Sequence, residues 1–229
     1  MFWRKALGVI AVVGVVVALP IVLLLSNLYL LATPAFLRME YSKPTVPLPS
    51  GFTAEERLRL AEASLRYLRS GQGIDALQQL EHAGKPLYNV RELVHMADVK
   101  VVMYWAFFAH VVATIVLVLA TIYLLCRADL RGRLPMLYFW GALLLAVPLL
   151  AIGGVALFSF DQFFVLFHRL FFRGDSWLFA GTDSLIRLFP LQFWMDAAFL
   201  YVVLAFGEAV LVGSAAYLWP GWRHGRRAR

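Results

Sequence analysis

Residues 89–125, NVRELVHMADVKVVMYWAFFAHVVATIVLVLATIYLL, read in two halves. The last 25 residues, 101–125, contain no Asp, Glu, Lys or Arg. At 1.5 Å per residue a helix of that length reaches about 38 Å, more than the roughly 30 Å hydrocarbon core of a bilayer. The first half is charged. It opens on Asn89 and Glu92, spaced as a capping box, so a single helix is expected to begin near Asn89. That helix then passes His95 and Lys100 and runs without a break into lipid.

Working outward, three more stretches share the apolar character of 101–125. They lie at roughly 6–31, 135–158 and 194–218. The first is too long for the apolar region of about 7–15 residues in a cleaved signal peptide. Pro20 inside it is compatible with a kinked span, because neighbouring groups in a bundle can satisfy the freed carbonyl. The whole chain of 229 residues is 62% hydrophobic and 15% charged, with a net charge of +7. That composition excludes an ordinary soluble domain. The positive charge sits beside the apolar stretches and not in a folded basic domain, which argues against nucleic acid as a partner and for contact with membrane lipid.

Short segments dense in Lys and Arg mark the cytoplasmic side. Arg4 and Lys5, the loop Arg127–Arg133 and the tail Arg223–Arg229 fall on one side if there are four spans. Both termini are therefore expected in the cytoplasm, with segments 32–100 and 159–193 outside. Segment 32–100 contains Pro-rich extended chain at 43–49 and a helix opening at Thr53 and Glu56. Segment 159–193 contains FDQFFVLFHRLFF at 160–172, too polar to span and too apolar for a solvated loop. The expected fold class is all-α and integral to the membrane. It is a four-transmembrane-helix bundle, one membrane domain over 1–229, with a small helical extracytoplasmic subdomain and an interfacial or re-entrant segment before the fourth span.

Two histidines stand out. His95 lies about 7–8 Å along the helix from Lys100, at the lipid–water boundary, with Glu92 at i−3 and Asp98 at i+3. A carboxylate beside an imidazole fixes its tautomer and raises its basicity. His168 is surrounded by Phe163, Phe164, Phe167, Phe171 and Phe172, where a polar ring must find a partner or a cavity. Protein nucleophiles are poorly placed. Cys126 falls at the cytoplasmic end of the second span, and Ser159, Ser176 and Ser184 lie in no Gly-x-Ser-x-Gly elbow. No His-x-x-x-His or His-Glu-x-x-His spacing is present, so neither a metal nor another cofactor is expected. General acid–base work on a lipid-borne group remains. His110 and Glu208 are ionisable residues within spans and are expected to pair between spans two and four.

Glu92-Leu-Val-His95-Met-Ala-Asp98-Val-Lys100 resembles one signature of a bacterial four-span membrane family. So does Phe164-Val-Leu-Phe-His168-Arg-Leu-Phe-Phe172, followed by Asp175-Ser-Trp177 and Asp183-Ser-Leu-Ile-Arg-Leu-Phe-Pro190. This is the lipoprotein intramolecular transacylase family. The likeness covers most of the chain and is thin over 51–88. The chain reads Gly174-Asp175-Ser176-Trp177 where Asn-Asp is expected ahead of the Trp.

The resemblance implies an acyltransferase of the bacterial cytoplasmic membrane, acting at the outer leaflet on diacylglyceryl-modified lipoproteins. Such an enzyme moves the sn-2 acyl chain to the α-amino group of the N-terminal cysteine, giving the lyso-form lipoprotein. His95 and His168 are the implied catalytic residues. His95, held by Asp98, is assigned as base and His168 as oxyanion or leaving-group partner, the two roles being exchangeable. Glu92, Asp98, Lys100, Arg173, Asp175, Trp177 and Asp183 are expected to line or order the pocket. The alternatives are a non-catalytic membrane interaction or assembly protein, and another acid–base enzyme on an outer-leaflet lipid.

Overall fold

The structure is a computed structural model that describes residues 2–219. The basic tail Arg223–Arg229, with His224, lies outside the described residues. In chain order the helices are α1 (Phe2–Leu31), α2 (Pro34–Tyr41), α3 (Ala54–Arg69), α4 (Asp75–Gln78), α5 (Val90–Leu125), α6 (Leu134–Phe158), α7 (Phe160–Phe171), α8 (Ser184–Leu188) and α9 (Leu191–Leu218). A two-residue hairpin, β1 (Glu81–His82) with β2 (Lys85–Pro86), precedes α5. Among the described residues α1, α5, α6 and α9 are long and apolar enough to cross a membrane.

The chain divides into two compact units. The first comprises Met1–Asn27, Phe107–Gly154 and Tyr201–Arg229. Its large side chains face outward: Ile10, Leu119, Ile122, Leu150 and Leu211 are exposed. The interior interleaves alanines with leucines, Ala11 and Ala120 beside Leu124 and Leu137, and Ala205 and Ala209 beside Leu145 and Leu149; the small residues allow close helix approach where lipid offers no hydrophobic drive for association. A Cβ at Gly141 would stand 3.3 Å from Val16 O and 3.2 Å from Leu19 Cβ, so α6 approaches the α1 backbone closely there. Glu208 finds partners on α1. Its carboxylate accepts hydrogen bonds from Asn27 Nδ2 at 3.1 Å and Ser26 Oγ at 3.5 Å. This carboxylate ties α1 to α9, where an amide and a hydroxyl supply neutral donors.

The second unit comprises Leu28–Ala106 and Val155–Leu200. Its centre is α3, which buries two faces. Leu60 and Tyr67 join a core with Phe52, Leu87, Met96 and Leu188. Ala61 and Leu65 join another with Phe36, Val46 and Phe193. Thr53 caps α3 by accepting from Glu56 N at 3.1 Å. The Glu56 carboxylate pairs with His82 Nδ1 at 2.9 Å, and that hydrogen bond, aided by one from the Thr53 backbone, holds its pKa below the usual carboxylate value. Arg57 is buried on the same helix. Its guanidinium donates to Val46 O, Pro47 O and Leu188 O and lies 3.8 Å over the Tyr41 ring. The Pro-rich chain expected to be extended over 43–49 turns at 43–46, where Val46 N donates to Lys43 O at 3.1 Å, and is irregular from 47 to 49; the Val46 and Pro47 carbonyls sit in no ladder, and Arg57 supplies their donor.

Candidate active site

Helix α5 starts where the capping box places it. Asn89 N donates to Glu92 Oε2 at 2.8 Å and Glu92 N donates to Asn89 Oδ1 at 3.1 Å. The second carboxylate oxygen, Oε1, accepts from Leu185 N of α8 at 2.7 Å. Glu92 is 1% exposed. It therefore ties the first turn of α5 to α8, one turn ahead of His95.

His95 is buried. Its ring meets Phe172 edge-on at 4.9 Å and Phe179 at 5.3 Å between centroids. His168 is the buried residue of α7, a helix that begins anew after a break at Ser159. The Phe164 and Trp177 rings stand 4.0 and 5.0 Å from its centroid. The two imidazoles lie 5.9 Å apart and within 24° of parallel. Both belong to the second unit, so the pair is formed within one compact body.

The nitrogens of the two rings differ. His168 Nδ1 is 2.8 Å from Phe164 O. A carbonyl can only accept, so Nδ1 carries the hydrogen and the neutral ring keeps its lone pair on Nε2. Burial pushes the His168 pKa below the ordinary imidazole value, and the bond to Phe164 partly opposes that. His95 Nδ1 is buried with no hydrogen-bond partner among the described residues. The expected grip of Asp98 on His95 is not formed. Asp98 instead accepts from Ser176 Oγ at 3.4 Å. An i,i+3 spacing puts two side chains on one helical face, but Ser176, reaching in from the 172–183 loop, takes the carboxylate.

That loop is shaped by Gly174, which has φ +70°. The turn returns the chain so that Trp177 Nε1 donates to Gly174 O at 3.0 Å and the indole covers His168. Gly and Asn are the residues that adopt this left-handed conformation most easily. Gly174→Ala is expected to destabilise the loop by about 1 kcal/mol, whereas Gly174→Asn is expected to be tolerated. Paired thermal melts, with Trp177 fluorescence as reporter, check the difference.

The remaining expected residues divide. Trp177 joins the histidines, and Asp98 stands beside them through Ser176. Lys100 turns away: its ammonium lies 4.1 Å over the Tyr67 ring and donates to Gln72 O. Asp183 accepts from Asn89 Nδ2 at 3.0 Å and from Ala180 N at 2.8 Å, ordering the loop ahead of α8. Arg173 and Asp175 are exposed. Phe179 and Arg91 were not legible as site residues. Arg91 donates to Leu178 O at 3.1 Å and so fixes the loop that presents Phe179 to His95. A lone Phe in a short loop carries no periodic signal, and an exposed Arg in a first helical turn looks like a solvated charge. Among the described residues no three His, Cys, Asp or Glu side chains are grouped to hold a metal ion. The geometry offers two stacked imidazoles in an aromatic pocket, suited to moving a proton between groups of a bound substrate.

The chain is similar to known proteins. A protein-family model described as lipoprotein intramolecular transacylase Lit matches residues 12–194. An uncharacterized protein of Aquifex aeolicus (strain VF5) is 31% identical over 179 residues, spanning 77% of this chain and 79% of its own. The in meso structure of the membrane integral lipoprotein intramolecular transacylase Lit from Bacillus cereus matches with a TM-score of 0.74 at 20% identity, covering 100% of this chain and 99% of that one. A form of the same protein with a histidine-to-arginine mutation matches with a TM-score of 0.67 at 19% identity, covering 100% and 97%. The four apolar helices and these matches lead to one conclusion: the chain belongs to the lipoprotein intramolecular transacylase family, and is a multi-pass integral membrane protein and an acyltransferase.

Proposed function

We propose that this acyltransferase moves the sn-2 acyl chain of an S-diacylglyceryl lipoprotein to the α-amino group of the same N-terminal cysteine, using His95 and His168 as acid–base pair. The observation that carries the reading is the 5.9 Å stacking of two buried imidazoles in one aromatic pocket. The nucleophile belongs to the substrate, so the pocket needs no serine or cysteine. His168 Nε2, with its lone pair set by the Phe164 carbonyl, takes the proton from the attacking amine. The new N–C bond forms as the ester carbonyl becomes a tetrahedral oxyanion. His95, whose Nδ1 meets no hydrogen-bond partner among the described residues, supplies a hydrogen bond to that oxygen or to the glyceryl oxygen. Collapse breaks the C–O bond at sn-2, and the proton passes to the glyceryl oxygen. This exchanges the two roles expected from sequence. Holding amine and ester in one pocket is itself a large rate factor.

The proposed setting is the bacterial cytoplasmic membrane, with both termini in the cytoplasm and the histidines at the outer leaflet. Spans near 6–31, 101–125, 135–158 and 194–218 would leave 32–100 and 159–193 outside. Helix α5 supports this: its 36 residues extend about 54 Å, well beyond a core of about 30 Å. Helix α7 supports it too. Leu166, Phe167, Leu170 and Phe171 are exposed while His168 is buried, which suits a helix lying at headgroup depth with its apolar face in lipid. Expressing the chain in a bacterium that lacks its own lipoprotein N-acylation is expected to yield lyso-form termini by mass spectrometry. Lipoproteins that keep a free amine and both glyceryl acyl chains would count against the reading.

A further inference from the structure

Beside the histidine pocket lies a surface groove lined by Asn89, Val90, Arg91, Ala180 and Asp183. Its volume is about 670 Å³, within the range of about 300–1,000 Å³ typical of ligand clefts. It lies in the second unit, as do the histidines. Two links join it to them. Arg91 precedes His95 by four residues on α5, so the two share a helical face. Ala180 follows Phe179, whose ring packs on His95. Phe179 on the histidine and Ala180 on the groove are thus consecutive residues of one loop.

The groove has a direction. Its residues Asn89, Val90 and Arg91 lie at the start of α5, on the other side of His95 from the charge-free stretch that begins at Val101. Acyl chains belong on the apolar side of the histidines, and whatever must leave for water belongs on the other. In a lipidated N-terminal cysteine the group that must leave for water is the polypeptide after the cysteine. Along the helix axis Arg91 lies about 6 Å and Asn89 about 9 Å from His95. Extended chain advances about 3.3 Å per residue, so two residues reach Arg91 and three reach Asn89 and Asp183. The lining suits main chain. Arg91 spends one terminal nitrogen on Leu178 O, leaving guanidinium donors for peptide carbonyls. Asp183 accepts one bond on each oxygen and keeps capacity for a peptide N–H. Val90 is 78% exposed and leaves the floor open to any side chain.

We infer that this groove seats the second and third residues after the lipidated cysteine as extended chain, so that the enzyme binds the polypeptide as well as the lipid. The inference rests on the transacylase reading above.

The test uses the full chain in detergent with two synthetic substrates, S-diacylglyceryl-cysteine amide and the same cysteine followed by four residues. For the unaltered protein the longer substrate is expected to show a KM about tenfold lower, as a few peptide hydrogen bonds would give. Ala180→Trp and, separately, Val90→Trp fill the groove at exposed positions, and each is expected to bring the KM ratio of the two substrates to within about twofold. The altered ratio distinguishes groove blockage from general damage, which would slow both substrates alike, and thermal melts of both variants check folding. Equal KM values for the unaltered protein, or an unchanged ratio in both variants, would overturn the groove while leaving the transacylase reading intact. Turnover of neither substrate by the unaltered protein would overturn both.

Discussion

Replacing His168 by alanine is expected to cut transacylation by about 10²–10⁴-fold, the range for loss of a positioned general base. The reasoning is geometric. Within α7 His168 is the buried residue, its Nδ1 is committed to Phe164 O, and it stacks 5.9 Å from His95. His95→Ala removes the facing imidazole and is expected to fall in the same range. The double variant is expected to be little worse than either single one, because groups acting as a unit are strongly non-additive. Single-turnover assays on a purified diacylglyceryl lipopeptide check this, with mass readout of the N-acyl product. A His168→Ala enzyme within about threefold of the parent would remove the base assignment.

The pH profile gives an independent handle. The base must be neutral to act. Burial moves the His168 pKa down, so the ring stays deprotonated to lower pH than an ordinary histidine. The acid limb of kcat/KM should therefore fall below the usual imidazole value of about 6.5.

Much of this was legible in the sequence, for reasons tied to particular residues. The spans show because lipid excludes charge over about 20 residues, a signal too long to imitate by chance. The continuity of α5 shows because Asn89 and Glu92 are spaced as reciprocal caps. His168 shows because a titratable ring among five Phe residues must have a purpose or a partner. Less legible are contacts that depend on which loop arrives first. Asp98 sits at the right spacing for His95, yet Ser176 reaches it from 78 residues away. Lys100 faces Tyr67 and Glu208 faces Asn27, and neither partner is marked by local pattern. Arg57 on an amphipathic helix reads as a solvated charge, and only the carbonyls of Val46, Pro47 and Leu188 make its burial tolerable. The charge cluster around buried Glu40, with Lys43 at 2.6 Å from it and Asp196 at 2.9 Å from Lys43, joins residues about 150 positions apart and is equally illegible in local pattern.

Glu92→Ala is expected to destabilise the protein and slow the reaction together. The buried carboxylate serves two backbone donors, Asn89 N at the start of α5 and Leu185 N in α8. Alanine leaves both unmet. Loss of a helix cap costs about 0.5–2 kcal/mol, and a buried unsatisfied N–H about 1–3 kcal/mol. Together these suggest about 2–4 kcal/mol, several degrees in an apparent melting temperature. Glu92→Gln separates the two contacts. Its carbonyl oxygen can take the place of only one of the two carboxylate oxygens, and its amide nitrogen then faces the other donor, so it is expected to fall between parent and alanine. The effect on rate follows from position. His95 is one turn after Glu92, and the loop carrying Trp177 and Phe179 enters α8 just ahead of Leu185. Loosening that junction lets His95 and its aromatic wall drift apart from His168. A shift of about 1 Å at a reacting centre can cost on the order of 10²-fold, so kcat should fall more than KM rises. Melts and turnover of both variants, measured on the same preparation, check the pairing of effects. If Glu92→Ala lost stability but kept its kcat, the residue would be a structural tie alone and the placement of His95 would depend on the rest of α5.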